Sequence, residues 1–461
     1  MKKTHIQLVT LAIITIMGMD LIDTTVMNNI LPKIAETFDV TPVHLKMGIS
    51  IYMIIMGMFL PISSWIAEKV GYRKTLIFAA SGFGFFSMMT GLATSDIQMF
   101  TYRGFQGLFA AFSAPVASLA YLKFSENMLE GTASLSNYTL IMAVVGQILG
   151  GMLASISPES WRLAFLLQVP FALFAILILY KIFPKEDLLN KDRKFDFLGL
   201  TIIGLSISFL FILSEVILKD VAVWIKISLA VGVCFSVSLY AFVYRKIKDP
   251  VIDFSIFKNH DFKIPFYTNF LCRLSVYWVF FAWPVVLYNL SHLNTIYISI
   301  MSVFLMLGTI VSKKVTKKLI YHYGYKLCMI VGLIGIAFVL SLSIVFDIHY
   351  HYFTFCLMAM AYGFVLGMYQ TSSNAVMYTV IDKSKLDSVN TLKNSSNMIS
   401  SAFALTAFTL AYDFYHMLGS DHHWEKVFSE AYYAVVLSAA IIQILLALWI
   451  FFGMRNIREN L

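Results

Sequence analysis

Charge is scarce in this chain: lysine, arginine, aspartate and glutamate make up only 13% of its 461 residues, against 59% hydrophobic side chains and a mean hydropathy of +0.77. Soluble domains carry roughly 25% charged residues, so a water-soluble enzyme or scaffold is excluded. Cysteine is also scarce. The four, Cys234, Cys272, Cys328 and Cys356, all fall inside or beside apolar runs and have no metal-ligand spacing, which argues against a disulfide framework or a zinc site. No glycine-rich phosphate loop is present to draw work from ATP. No Ser/His/Asp or His/Glu/Asp set clusters at one membrane face, so the chain reads as neither an enzyme nor a cofactor or metal protein.

What the chain has in quantity is long apolar runs. Fourteen are read at roughly 7–30, 45–66, 75–94, 98–121, 134–156, 161–183, 197–218, 222–244, 263–288, 295–312, 325–346, 351–371, 393–412 and 431–453. About twenty helical residues cross a bilayer core of about 30 Å, and backbone groups in lipid must be satisfied internally, which makes each run a helix. The first run is read as a span rather than a signal peptide, because it carries two aspartates and no small-residue cleavage site follows it. The expected fold is therefore an all-α polytopic membrane protein with fourteen transmembrane helices.

The net charge of +8 follows the topology. Of the 34 lysines and arginines, 26 fall on one side of the spans, 6 on the other and 2 deep within them. The richer side is cytoplasmic by the positive-inside rule. An even span count then puts both termini in the cytoplasm, and no nucleic acid is needed to explain the basic charge. Lys2 and Lys3 mark one end, Arg455 and Arg458 the other. Seven of the ten histidines (His44, His292, His349, His351, His416, His422 and His423) fall on the outer side, with no helix bringing three together at ligand spacing.

Two long charged connections, 184–196 and 245–263, bracket a helix pair poor in polar residues. The expected organisation is a six-helix bundle over residues 1–184, an inserted two-helix segment with its flanking loops over 185–255, and a second six-helix bundle over 256–461. A faint repeat agrees: a shift of 253 residues superposes Gly71 on Gly324, Tyr72 on Tyr325, Arg73 on Lys326 and Gly82 on Gly335. Parallel repeats of this type place a substrate path at their interface near the midplane.

The loop Ser64-Trp-Ile-Ala-Glu68-Lys69-Val-Gly71-Tyr72-Arg73-Lys74 resembles the cytoplasmic signature of the major facilitator superfamily. Ser64, Glu68 and Lys69 replace its glycine, aspartate and first arginine, and the basic pair comes one place late. Arg103-Gly-Phe-Gln106-Gly107 is similar to the family's second signature. The stretch from Ile22 through Asp23, Asn28 and Asn29 to Pro32, and Trp161 through Gln168 to Pro170, resemble the fourteen-span drug:proton antiporters (multidrug efflux). Gly146-Gln147-Ile-Leu-Gly150-Gly151 departs from that group's span-five signature by lacking its proline. The resemblance implies a proton-coupled antiporter of the bacterial inner membrane, with Glu68, Lys69, Gly71, Arg73 and Lys74 as a gate latch. It is compatible with an envelope fusion partner, which no residue identifies.

Asp20 and Asp23, three residues apart, share a helical face, and a mid-span aspartate costs roughly 2.5–3.5 kcal/mol to insert, so it seeks a partner or a cavity. At about 1.5 Å per residue, Arg103 in span four lies at the depth of Asp23, and Arg273 in span nine at the depth of Asp20. These are candidate proton-coupling pairs; a static salt bridge is the plainer alternative. Gln106, Gln168, Asn269, Tyr277 and Trp278, together with Arg273, are candidate lining residues of the substrate path, although amides also bind helix to helix. Gly146 and Gly150 form a small-residue packing face beside Gln147 and Gly151.

The sequence thus favours export of a small amphipathic molecule coupled to protons. The runner-up, suited to the midplane cation Arg273, is export of an anionic endogenous metabolite such as a polycarboxylate siderophore; an uptake carrier is third. Partners are the small-molecule substrate, protons and the lipid bilayer.

Overall fold

Every regular element is helical in the computed structural model, which describes residues 3–124, 128–183, 196–244, 246–247, 254–285, 295–345, 352–381, 385–418 and 424–455. The first four apolar runs form α1 (Lys3–Phe38), α2 (Pro42–Val70), α3 (Tyr72–Gly91) and α4 (Asp96–Phe124). The fifth and sixth form α5 (Met128–Ile156), then α6 (Trp161–Leu166) and α7 (Gln168–Ile182), two pieces of one run. The inserted pair is α8 (Phe197–Val216) and α9 (Val223–Tyr244). The ninth run is again two pieces, α10 (His260–Val276) and α11 (Val279–Val285). The last five are α12 (Thr295–Tyr323), α13 (Tyr325–Val345), α14 (Tyr352–Thr379), α15 (Leu386–Leu418) and α16 (Trp424–Gly453). Among the described residues, nine helical stretches are long and apolar enough to cross a membrane by length and composition. The expected loops at 184–195 and 248–253, and His292, His349, His351, His422 and His423, lie outside the described residues.

The two breaks have local causes. Pro170 has no N–H to give the carbonyl of Leu166 and its ring crowds that oxygen, so the ladder is interrupted at Leu167. In the ninth run, side chains capture the carbonyls: the Trp278 indole donates to Ser275 O at 2.7 Å and the Tyr362 hydroxyl to Val276 O at 3.3 Å. Side chains inserted into a helix ladder are a recognised source of kinks.

The chain separates into two compact units, Met1–Leu210 with Ser228–Val251, and Phe211–Ile227 with Ile252–Leu461. In unit one α2 packs on α4, α1 on α5, and α3 on both α4 and α7. In unit two α12 packs on α14, α13 on α14 and α16, and α10 on α15. The packing of second on fourth helix is built alike in both. A Cβ at Gly107 of α4 would overlap the Tyr52 carbonyl of α2, and one at Gly363 of α14 would overlap the Leu305 carbonyl of α12. Leu305 lies 253 residues after Tyr52, the offset of the sequence repeat.

Each unit also turns its second helix into its third through one glycine with positive φ, 98° at Gly71 and 82° at Gly324. The glycine N–H closes the preceding helix, onto Ala67 O at 3.0 Å and Ile320 O at 2.8 Å. A side chain at such a φ is disfavoured by the Cβ clash, so the corner selects glycine.

The inserted helices divide between the units. Phe197 of α8 meets Trp65 edge-on at 5.3 Å in unit one, whereas Glu215 near its end accepts a 3.0 Å hydrogen bond from Thr406 of α15 in unit two. Helix α9 has only 11% of its apolar window buried, so its side chains are outward-facing, led by Phe235 and Phe242. An apolar helix exposed nearly all round is at home in lipid.

Candidate functional site

The polar centre of unit one is assembled from α1, α2 and α4. Asp23 and Arg103 form an ion pair whose side chains are each 1% exposed. Gln106, one turn beyond Arg103, closes the pair into a triangle: Arg103 Nη1 donates to Gln106 Oε1 at 2.9 Å, and Gln106 Nε2 donates to Asp23 Oδ1 at 2.9 Å. The spacing of Arg103 and Gln106 at i and i+3 on α4 puts both on the face that meets α1. The Tyr52 ring lies beneath the guanidinium at 4.3 Å and the Tyr52 hydroxyl donates to Asp20. Two carboxylates, one guanidinium and a phenol are therefore linked in the buried interior of unit one.

Around this centre the remaining expected residues take varied places. Gln168, at the start of α7, is buried with its Oε1 lacking a hydrogen-bond partner among the described residues. Gln147 accepts from Asn29 Nδ2 at 2.7 Å, tying α5 to α1. The same two helices touch through glycine: a Cβ on Gly146 would meet Thr25, and one on Gly150 would lie 3.1 Å from Val26 Cα. Close helix approach is the use such small residues have. Gly151 follows Gly150 within α5. The side chains of Asn28 and Ser64 are outside the described set.

At the cytoplasmic signature, Gly71 forms the corner already described. Arg73 donates from Nε to Leu179 O at 3.0 Å and from Nη2 to Tyr180 O, with the guanidinium 5.4 Å over the Tyr180 ring. It thus fastens α3 to the end of α7. Lys69 sits 4.7 Å over the Trp65 ring, Glu68 is half-buried, and Lys74 is exposed. At the other end of the unit, His44 and Asp96 bond at 2.7 Å, and this hydrogen bond holds the Asp96 carboxyl below the usual carboxylate range.

Unit two has a different polar centre. Arg273 of α10 is half-buried, with Nη1 3.4 Å from Ser401 Oγ, its Nε buried without a hydrogen-bond partner among the described residues, and its guanidinium 5.6 Å over Tyr277. Asn269, one turn earlier, donates to Asn374 Oδ1 at 3.4 Å. Trp278 is packed in the core, stacked on Phe408 at 5.6 Å with its indole N–H spent on the backbone. Asp20 belongs to unit one and Arg273 to unit two. Among the described residues, no group of three or more His, Cys, Asp or Glu is arranged to hold a metal ion.

Sequence reasoning passed over three residues. Tyr52 reads as one more span aromatic, although its depth in span two, about that of Asp23 and within a helical turn of Asp20, was a usable signal. Lys393 reads as a span-edge charge, yet its Nζ lies 4.9 Å over the Tyr378 ring. Glu215 sits in the helix pair that looked polar-poor and is buried against α15.

A family model for the Major Facilitator Superfamily matches residues 13–251 and 266–460. "Putative multidrug resistance protein MdtD" of Salmonella paratyphi A is 23% identical over 392 residues, covering 84% of this chain and 82% of that protein. The Salmonella typhimurium protein of the same name is equally similar, 23% over 392 residues with the same coverage. Among solved structures, the nucleoside transporter NupG superposes with a TM-score of 0.68 at 11% identity, covering 96% of this chain and 98% of that one. A bacterial homologue of the human lysosomal transporter Spinster, inward-facing and unoccupied, superposes at 0.68 with 14% identity and full coverage of both chains. At such identities the two structures establish the fold alone.

Proposed function

The chain belongs to the Major Facilitator Superfamily, whose members are transporters rather than enzymes, and on that premise we propose that it is a proton-coupled exporter of a small amphipathic organic molecule. It works by alternating access through fourteen spans in a bacterial inner membrane, with both termini in the cytoplasm. The observation that carries this reading is the closed triangle of Asp23, Arg103 and Gln106 buried inside the helix bundle of unit one. The similarity to proteins named for multidrug resistance supports the outward direction.

A carboxylate held by a buried guanidinium is a two-state element. When a proton binds Asp23 its attraction for Arg103 falls, and the guanidinium retains Gln106 and the Tyr52 ring as neighbours with Asp20 one helical turn away. The buried charge count changes by one, and a buried uncompensated charge is costly. That cost favours opening the bundle to water on the side that releases the proton. Gly146 and Gly150, where α1 and α5 nearly touch, are the surface on which the movement slides. Glu68, Lys69, Arg73 and Lys74 around the Gly71 corner form the cytoplasmic latch.

The test is accumulation in reconstituted inside-out vesicles. With an acid lumen, a lipophilic dye or an organic anion should be driven inward, and collapsing the gradient with an ionophore should stop it. Equal rates for both probes with and without the gradient would refute proton coupling.

A further inference from the structure

Helices α10, α14 and α15 carry a polar seam in unit two. On α15, Asn390, Asn394, Asn397 and Ser401 recur every three or four residues, which places them on one face, and Lys393 flanks the same face. The Tyr378 hydroxyl of α14 donates to Asn390 Oδ1 at 2.8 Å, and Asn394 Nδ2 donates to the same oxygen at 3.0 Å. Asn374, one turn before Tyr378 on α14, receives Asn269 of α10. Arg273 lies at the Ser401 end and Lys393 over Tyr378 at the other. The eight residues from Lys393 to Ser401 rise about 12 Å along α15.

Among the described residues neither cation is paired with a carboxylate: Lys393 has the Tyr378 ring, and Arg273 has a hydroxyl and an aromatic ring. Its Nε–H is buried without a hydrogen-bond partner among the described residues. Arg273 and Lys393 flank one polar seam, and like charges in a low dielectric repel. A ligand with two negative charges reverses the sign of both interactions. A monoanion leaves one cation unmatched, and a lipophilic cation adds a third positive charge.

We propose that the seam is a binding site for a small organic dianion, with Arg273 and Lys393 each taking one of its charged groups and the amides of Asn269, Asn374 and Asn394 its remaining oxygens. The planar guanidinium suits bidentate capture of a carboxylate or phosphate, while the ammonium acts as a point charge. The proposal rests on the exporter reading and names the chemical class of its substrate: an amphipathic anion rather than an amphipathic cation.

The experiment measures binding to the full chain in detergent at neutral pH without any gradient, so that coupling does not enter. The probes are succinate and phthalate as dicarboxylates, phenyl phosphate as a phosphate monoester, benzoate as a monoanion and tetraphenylphosphonium as a cation. At least one dianion should bind at least tenfold tighter than benzoate. That affinity should fall at least tenfold in Arg273→Gln and in Lys393→Gln, return in Lys393→Arg, and be untouched in Lys314→Gln, an exposed lysine of α12. Which dianion binds separates the carboxylate from the phosphate source. No dianion binding to folded protein, equal binding in the glutamine variants, or tetraphenylphosphonium as the sole ligand would overturn the proposal. Anion binding with no gradient-driven transport would sink the coupled-exporter reading instead and leave the site standing.

Discussion

Each unit carries an arginine within an apolar helix, fully buried at Arg103 and half-buried at Arg273, and the two are treated in opposite ways. Arg103 is met by a carboxylate and an amide in a closed set of hydrogen bonds. Arg273 is met by a distant hydroxyl and a ring face, with one N–H left over. A neutralised cation is content with a closed interior, whereas an unmatched one calls for water or an anion from outside the protein. The difference separates two tasks: an internal ion pair can be switched by a proton, and an open cation can recognise cargo.

The comparison breaks most visibly at the arginines. Arg103→Gln leaves Asp23 buried and unpaired and should destabilise the protein by about 3–5 kcal/mol, while Arg273→Gln should cost well under that or nothing, as read by thermal unfolding in detergent. Equal losses would mean that Arg273 is held by a partner as firmly as Arg103. Combining Asp23→Asn with Arg103→Gln should restore most of the stability and yet show no gradient-driven transport. Coupling in that double variant would reduce the pair to structural glue.

A smaller effect tests where the units are alike. Gly107→Ala and Gly363→Ala each push a methyl into a facing carbonyl, and each should cost about 1–3 kcal/mol by overpacking. The readout is folded yield on size exclusion. A tolerated change in one unit alone would mean that the second-on-fourth helix contact is not shared.

Tyr52→Phe sharpens the description of unit one. It keeps the ring under Arg103 and removes the hydrogen bond to Asp20, which to a charged group is worth about 1.5–3 kcal/mol. Gradient-driven transport should slow by about tenfold or more while Arg103 stays paired; an unchanged rate would leave Asp20 outside the switch. The smallest effect is expected at the His44–Asp96 pair at one end of unit one. Asp96 is held below its ordinary range, so its contribution is present at neutral pH and lost as the pH falls through that range, below about 4. His44→Ala should remove less than about 1 kcal/mol at pH 7, and that loss should shrink as the pH falls below about 4 in paired unfolding curves.

Helices were legible in the sequence because lipid leaves the backbone no alternative, and each apolar run corresponds to one helix or one broken pair. Matching depths made Asp23 and Arg103 candidate partners, since two helices crossing one slab share a common ruler. The contact itself is seen in the packing of α1 on α4. Side-chain capture of backbone groups was not legible. Nothing in the pattern around Ser275 and Val276 shows that Trp278 and Tyr362 will claim their carbonyls, because the second lies on a helix eighty-odd residues away. Trp278 looked like a cavity wall and is packed in the core for the same reason. Lys393 was hidden by its position: at the end of an apolar run a lysine resembles a topological marker, and only the neighbouring α14 and α10 give it another meaning.

The single-glycine corners at Gly71 and Gly324 bear on how such a chain can diverge from its own duplicate. A left-handed backbone position depends on one atom, the missing Cβ, and not on any neighbour's identity. Every packed contact around it can be exchanged for another of equal volume, and paired substitutions can carry those changes step by step. No partner substitution restores a corner that has gained a side chain. The two halves therefore keep the same register at this joint, where the sequence repeat aligns Gly71 with Gly324 and Tyr72 with Tyr325.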